Sequence, residues 1–403
     1  MNLYGYGKWW EEHWRGMPEF DQRDLAPWHS IEMAFQREED LAEFERRISQ
    51  DVPDYSRRTS SIWFPEAEIG RFANKRYVGS GETLPRWPIY VPTKGRWETR
   101  YTLKALDSIG VPYRAVVEAH EVDAYLSAGV SAEKLLVQPS HNRGLVVTRN
   151  WIWDHAEASG VRRFWTMDDN IQGFYRLNRN LKTPVADGAM LRAIEDFVDR
   201  YENVPIAGMN YFMFASRKSE VPPLTLNTRV YSNMLIETHA LDVTGRPLRN
   251  EGFYNDDTDL CLRVLKSGRA TVLFNAFLIF KSTTMTVKGG MTGHYVKQSG
   301  AFAEWLPLAK EWLAACAAAN EHQAASPEEL VEDGRWRMAA ELWKKHRDVT
   351  KITRKWGRWQ HSVDYSAFRK NKLIMRPDVE VREEVNDFGM TLHVDGEPEC
   401  VSA

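Results

Sequence analysis

This chain of 403 residues has only three cysteines, Cys261, Cys316 and Cys400, far apart and without metal-type spacing. They make no disulfide framework or zinc motif and read as reduced thiols. No apolar run is long enough to span a bilayer, and a mean hydropathy of −0.51 excludes a membrane-embedded protein. Neither sign of charge dominates: 53 Lys and Arg against 56 Asp and Glu leave −3. That excludes a uniformly basic, histone-like binder and permits a local basic face. No internal repeat or low-complexity tract stands out. Residues 1–10 lack the charged-then-apolar build of a secretory signal, so a cytoplasmic location is expected. What the chain has is 43% hydrophobic residues, enough for a real core, and a length that fits two or three domains.

The most informative stretch is Phe164-Trp-Thr-Met-Asp-Asp-Asn-Ile-Gln172. An aromatic, β-prone run brings Asp168, Asp169 and Asn170 to one abrupt polar end, which is how a sheet presents oxygen ligands to a divalent cation such as Mg²⁺ or Mn²⁺. An isolated Asp-Asp-Asn also serves as an Asx turn capping a helix. Context decides between them. Upstream, Pro88 to Arg96 reads as a strand ending in a basic, glycine-containing loop. Leu103, Leu106 and Ile109 then mark a helix stopped by Gly110. A strand (113–118), a helix (122–128), a strand (135–138) and a helix (145–158) lead to the Phe164 strand. Such alternation predicts an α/β fold, a mainly parallel sheet flanked by helices, with ligands at the carboxyl ends of its strands.

These residues resemble a known family. His141-Asn-Arg-Gly-Leu-Val-Val-Thr-Arg-Asn150, one helix and then Asp168-Asp-Asn170 look like the nucleotide-sugar half of a GT-A glycosyltransferase, where an Arg-Asn pair precedes the metal-binding Asp-x-Asp strand. Gly252-Phe-Tyr-Asn-Asp-Asp-Thr-Asp259 resembles the acidic motif of the acceptor half, and Lys288-Gly-Gly-Met-Thr-Gly-His294 the C-terminal loop whose His completes the metal shell. The most similar subgroup is the TET-associated glycosyltransferases of bacteriophages, linked to sugars on hydroxymethylated pyrimidines in DNA. The resemblance implies a Mn²⁺ or Mg²⁺ ion held by Asp168, Asp169, Asn170 and His294, and a nucleotide sugar, with a UDP-sugar expected. It places Asp256 in the Glu position of the acidic motif and Asp257 in the position of the base. Asn170 departs from the pattern, standing where an Asp is common.

The chemistry supports the same assignment. A leaving nucleoside diphosphate carries charge that a cation stabilises, and an acceptor hydroxyl needs a carboxylate away from the metal, a role open to Asp257. Helix capping is the competing role for Asp256, Asp257 and Asp259. Thr93, Lys94 and Arg96 follow the first strand and suit base, ribose or phosphate recognition. Arg149 and Asn150 hold a fixed place before the acidic strand, although Arg149 is equally suited to pairing with Asp168 or Asp169. An imidazole ligand such as His294 favours manganese.

The expected organisation is a Trp-rich α/β appendage over residues 1–84, a transferase domain over 85–300 and a mainly helical region over 301–403. In the first, residues 38–44 read as an amphipathic helix and 61–64 as a strand, with the aromatics belonging to the core. In the last, Ser326-Pro-Glu-Glu329 carries a capping box. Residues 335–376 then turn basic with interleaved tryptophans, as on a nucleic-acid surface or on a solvated helix packed through its indoles. An acidic tail over 378–399 either folds back on that surface or stays in solvent. The sequence therefore predicts a cytoplasmic glycosyltransferase, in the host cytoplasm if phage-encoded, acting on hydroxymethylated bases in DNA. Transfer to a glycan, small molecule or protein is the alternative, and a non-catalytic nucleic-acid-binding protein with a transferase fold is the second.

Overall fold

The structure, a computed structural model, describes residues 8–25, 28–52, 62, 64, 75–80, 82–217, 219–282, 302–321, 323–381 and 388–394. A short helix α1 (Glu38–Ile48) and strand β1 (Lys75–Val78) come first. The expected alternation follows: β2 (Ile89–Pro92), α2 (Tyr101–Ser108), β3 (Arg114–Glu118), α3 (Val122–Ser127), β4 (Leu135–Gln138), α4 (Leu145–Ala158) and β5 (Arg163–Met167). Gly110 takes left-handed backbone, φ 64°, which a glycine adopts without strain, and α2 ends before it. On α4, Thr148, Arg149, Ile152, Trp153 and Ala156 recur at three- and four-residue spacing and form its buried side. β5 is buried throughout, as a strand covered on both faces must be.

Next come β6 (Ile171–Asn178), β7 (Leu181–Pro184), α5 (Ala189–Asp199), β8 (Ile206–Tyr211), β9 (Leu224–Leu226), β10 (Asn233–Glu237), α6 (Asp256–Lys266) and β11 (Thr271–Lys281). Among the described residues they build one ten-stranded sheet ordered β4-β3-β2-β5-β10-β8-β11-β6-β7, with β9 paired to β11. β2, β3, β4 and β5 run parallel. β10 lies reversed between β5 and β8, and β11 is parallel to β8. The carboxyl ends of β2, β3, β4, β5 and β11 therefore share one edge. The amino end of β10 joins them, with Asn233 opposite Met167. One apolar cluster joins Leu103 and Leu106 of α2 to Ile194 and Phe197 of α5. The other joins Ile152 and Trp153 of α4 to Leu260 and Val264 of α6. Helices thus cover both faces of a mixed sheet in a GT-A-like α/β architecture.

Beyond residue 301 lie α7 (Leu306–Ala318), α8 (Pro327–Glu332) and α9 (Gly334–Lys345), and the Ser326–Glu329 capping box forms. Trp312, Trp336, Trp343 and Trp359 close a small core there. The basic stretch is only partly helical, because β12 (Thr350–Lys355) and β13 (Arg358–Val363) make an antiparallel hairpin. Trp356 and Gly357 form its turn at φ 50° and 72°, the two positive angles of a type I′ connection that matches strand twist. Part of the acidic tail forms β14 (Thr391–Val394), paired with β1. Trp14 packs against the rings of Phe197, Phe274 and Phe277, which makes this N-terminal aromatic a core residue. Only Ile62 and Phe64 of the strand expected over 61–64 are among the described residues, and Cys400 is outside them. Cys261 and Cys316 are buried free thiols. No helix among the described residues is long and apolar enough to cross a membrane.

Candidate active site

β5 carries Asp168, Asp169 and Asn170 to the polar edge, and their backbone is held from two sides. The Asp168 N–H donates to the Ser232 carbonyl at 2.7 Å, just ahead of β10. From α2, the Thr102 hydroxyl donates to the Asp168 carbonyl at 2.5 Å and accepts from the Ile171 N–H at 2.9 Å. Fixed this way, the side chains meet three cations. Arg149 Nη2 donates to Asp168 Oδ1 at 2.8 Å and Lys281 Nζ to Oδ2 at 2.8 Å, while Arg96 Nη1 donates to Asp169 Oδ1 at 2.6 Å.

The two aspartates respond differently. Burial works against the charge of Asp168, but Lys281 and Arg149 outweigh it and hold the carboxyl well below the usual range. At Asp169 burial dominates. Against the pull of Arg96 and with the push of Asp168, it raises the carboxyl to about 6. Asn170 is buried and its Oδ1 has no hydrogen-bond partner among the described residues. A bare amide oxygen beside a carboxylate that Arg96 pairs through Oδ1 is a donor set that a hard cation fits. Asp168 joins that set only by giving up an ion pair.

Arg149 also reaches the other acidic motif: its Nη1 donates to Asp256 Oδ2 at 2.5 Å. Burial raises the Asp256 carboxyl while Arg149 opposes it. Asp257, one residue on at the start of α6, is half-buried, and its Oδ1 accepts from the Thr258 N–H at 2.6 Å. It also lies in the field of Arg229, whose guanidinium is raised by Asp257, Tyr231 and Tyr365 against the effect of burial. Arg229 sits 4.6 Å from the Tyr231 ring centroid, with Nη1 3.4 Å from Nε2 of His361. Burial and Arg229 lower His361 to about 4, so its ring is neutral at ordinary pH. Asp259 points elsewhere, accepting from Arg263 and bonded to His346 at 3.0 Å each.

The edge thus brings together Arg96, Arg149, Asp168, Asp169, Asn170, Asp256 and Asp257. Thr93 supports it, its hydroxyl 2.7 Å from that of Tyr125. Lys94 faces aside and donates to Glu118 Oε1 at 2.9 Å. Asn150 clips the loop before α6, donating to the Asn250 carbonyl at 3.0 Å and accepting its N–H at 2.8 Å. His294 lies outside the described residues. Reading the sequence overlooked Lys281, Thr102 and Arg229. For Lys281 there was a signal: it closes the long apolar strand Thr271–Lys281 with a charge, as Asp168 follows β5. Thr102 and Arg229 had none, because a hydroxyl on a helix and an arginine in a loop are ordinary in sequence.

Compared with known proteins, residues 87–290 match a family model described as TET-associated glycosyltransferase. No curated protein matches. Among solved structures, the crystal structure of mannose-1-phosphate geranyltransferase from Thermus thermophilus is similar at 14% identity and a TM-score of 0.23, over 62% of this chain and 67% of that one. So slight a likeness carries no argument about chemistry.

Proposed function

Because this chain belongs to the TET-associated glycosyltransferase family, we propose that it moves a sugar from a nucleotide-sugar donor to a hydroxymethylated pyrimidine in DNA, with a divalent cation, Mn²⁺ or Mg²⁺, at the donor. The observation that carries this reading is Arg149, which joins Asp168 of the donor edge to Asp256 of the second acidic motif. It ties the two halves of a transfer site together through one side chain. Asp169 and Asn170 would hold the cation. When bound, it neutralises the departing diphosphate. Arg96, Arg149 and Lys281 supply fixed positive charge along the same edge. Asp257 takes the proton of the acceptor hydroxyl, and Asp256, pinned by Arg149, sets the position of the α6 start that carries it.

DNA as the acceptor is supported by the hairpin beside Asp257. His361 of β13 contacts Arg229, and the strand runs about 15 Å from there to the turn. At that turn Trp356 is 90% exposed and at positive φ. An indole in water on left-handed backbone costs the fold twice and gives it nothing. Exposed Arg354, Lys355 and Arg358 flank it and exposed Lys351 lies further along β12, with no acidic residue between Thr350 and Val363. Cations for phosphates and an aromatic face for an unstacked base are the components of a nucleic-acid surface. A cytoplasmic setting suits the free thiols Cys261 and Cys316.

The test is to incubate the protein with Mn²⁺, a panel of sugar nucleotides including UDP-sugars, and DNA with or without 5-hydroxymethylcytosine or 5-hydroxymethyluracil, then digest the DNA and weigh its nucleosides. A sugar adduct on the hydroxymethylated nucleoside alone is the expected result. Adducts on neither, with sugar found on a glycan or protein offered in parallel, overturn the DNA acceptor.

A further inference from the structure

We propose a second metal site, separate from the Asp168 edge, in which Glu118, His120 and His141 bind a borderline transition metal of the Zn²⁺ class. Among the described residues these three are the one group of His, Cys, Asp and Glu whose donor atoms converge, all within 4.8 Å of one another. Glu118 ends β3, His120 follows in the next turn, and His141 lies in the loop leading to α4. Two short segments at the carboxyl edge of the sheet, the turn after β3 and the loop before α4, thus supply the three donors.

The distances distinguish a metal cage from a hydrogen-bonded cluster. Nδ1 of His120 is 3.6 Å and Nδ1 of His141 3.5 Å from the same oxygen, Glu118 Oε2. Both are too long for hydrogen bonds of ordinary strength. They match the edges of a tetrahedron around zinc, which for bonds of about 2.0–2.2 Å are about 3.3–3.6 Å long. The rings stand edge to face with centroids 4.6 Å apart, and each has its Nδ1 toward Glu118 Oε2.

The surroundings are those that metal ligands need. Glu118 is fixed and ionised: its side chain is 4% exposed, the Asn142 N–H donates to both of its oxygens at 3.0 Å, and Lys94 holds Oε1 at 2.9 Å. Burial works to raise its carboxyl, but Lys94 and Asn142 lower it further. Oε2, which shares the Asn142 N–H with Oε1, keeps a second lone pair for the ion. Of the two ring nitrogens opposite the metal, that of His141 lies within hydrogen-bond distance of a side chain and that of His120 faces a carboxylate beyond it. His120 Nε2 faces Glu121 Oε1 at 3.9 Å, on a buried carboxylate whose Oε2 has no hydrogen-bond partner among the described residues. His141 Nε2 is 2.7 Å from Asn142 Nδ2, and the oxygen of that amide accepts from Lys94 Nζ, so a metal on Nδ1 requires the amide to turn over and release Lys94. Two imidazoles and one carboxylate leave a fourth position open to water, and this softer set selects Zn²⁺ or Co²⁺ over Mg²⁺. The ion would brace the turn after β3 against the loop before α4, around Lys94.

Titrating untagged, chelator-stripped protein with Co²⁺ tests this, because tetrahedral Co²⁺ absorbs visibly and reports its own ligands. One strongly absorbing Co²⁺ per chain, displaced by one Zn²⁺, is expected. His120→Ala and His141→Ala, both at exposed positions, should each weaken binding by more than the roughly 10–100-fold that outer partners contribute, and Asp169→Asn should leave the spectrum unchanged. Loss of the signal in Asp169→Asn with its persistence in both histidine variants overturns the site, as does parent protein that gives no tetrahedral spectrum. Neither readout involves sugar transfer, so the result stands whether or not the acceptor is DNA.

Discussion

Arg149 and Asp256, a side chain from the second turn of α4 and the first residue of α6, meet at 2.5 Å. With Asp168 on its other arm, this guanidinium is the one described residue bonded to both acidic motifs. Burial alone would lower its pKa, and the two carboxylates raise it instead, Asp256 the more. Removing it leaves two buried carboxylates facing each other. Arg149→Ala should therefore cost about 3–5 kcal/mol in urea denaturation. Arg149→Lys keeps the charge but not the fork, and should fall between that variant and the parent.

Transfer by the Asp257 and Asp256 variants should separate base from anchor. Asp257→Asn keeps size and capping but takes no proton, so single-turnover transfer from saturating donor should drop roughly 10²–10⁴-fold with donor affinity kept. Asp256→Asn should instead lose stability, because its partner Arg149 is buried. Near-normal transfer by Asp257→Asn, with Asp256→Asn the slower, moves the base to Asp256.

The pH dependence of stability should reveal Asp169. Its carboxyl is raised from the ordinary range to about 6 by burial, so folding favours the protonated form. The stability this gives is present in full below about pH 4 and lost as pH rises through about 6, about 3 kcal/mol at most. Asp169→Asn cannot ionise, so its melting temperature relative to the parent should climb between pH 4 and 8. A constant difference across that range removes the effect. Divalent-metal affinity, read by calorimetry, should fall in the parent below about pH 6 and be weak at every pH in the variant.

Neutralising Lys351, Arg354, Lys355 and Arg358 together should flatten the salt dependence of DNA binding, by about one unit of logarithmic slope for each phosphate that the variant no longer neutralises. Trp356→Ala should weaken single-stranded DNA binding by about 1–3 kcal/mol at constant slope, with Trp356→Phe restoring most of it. An unchanged slope in the first variant makes the hairpin structural.

Much of the fold was legible because its signals are local. The strand at 135–138 and the helix at 145–158 form with the boundaries their apolar patterns and flanking glycines set, and Ser326 and Glu329 cap α8 as their spacing requires. The hairpin at 350–363 was less visible. Its tryptophan–glycine turn is not the usual Asn-Gly, and the charge of the stretch resembles a helix surface.

The acidic strand end after β5 and the acidic start of α6 were determined by sequence alone, since an apolar run that stops abruptly at carboxylates places them at the edge wherever the sheet is built. Which cation each carboxylate meets was decided only by the tertiary structure. Lys281 reaches Asp168 because β11 runs in the same direction as β5 after the β10 reversal, and that direction is fixed by pairing across the sheet rather than by any local pattern. The convergence of Glu118, His120 and His141 has the same origin. Their spacing follows no metal motif, and only the parallel alignment of β3 and β4 brings the turn after one beside the loop after the other.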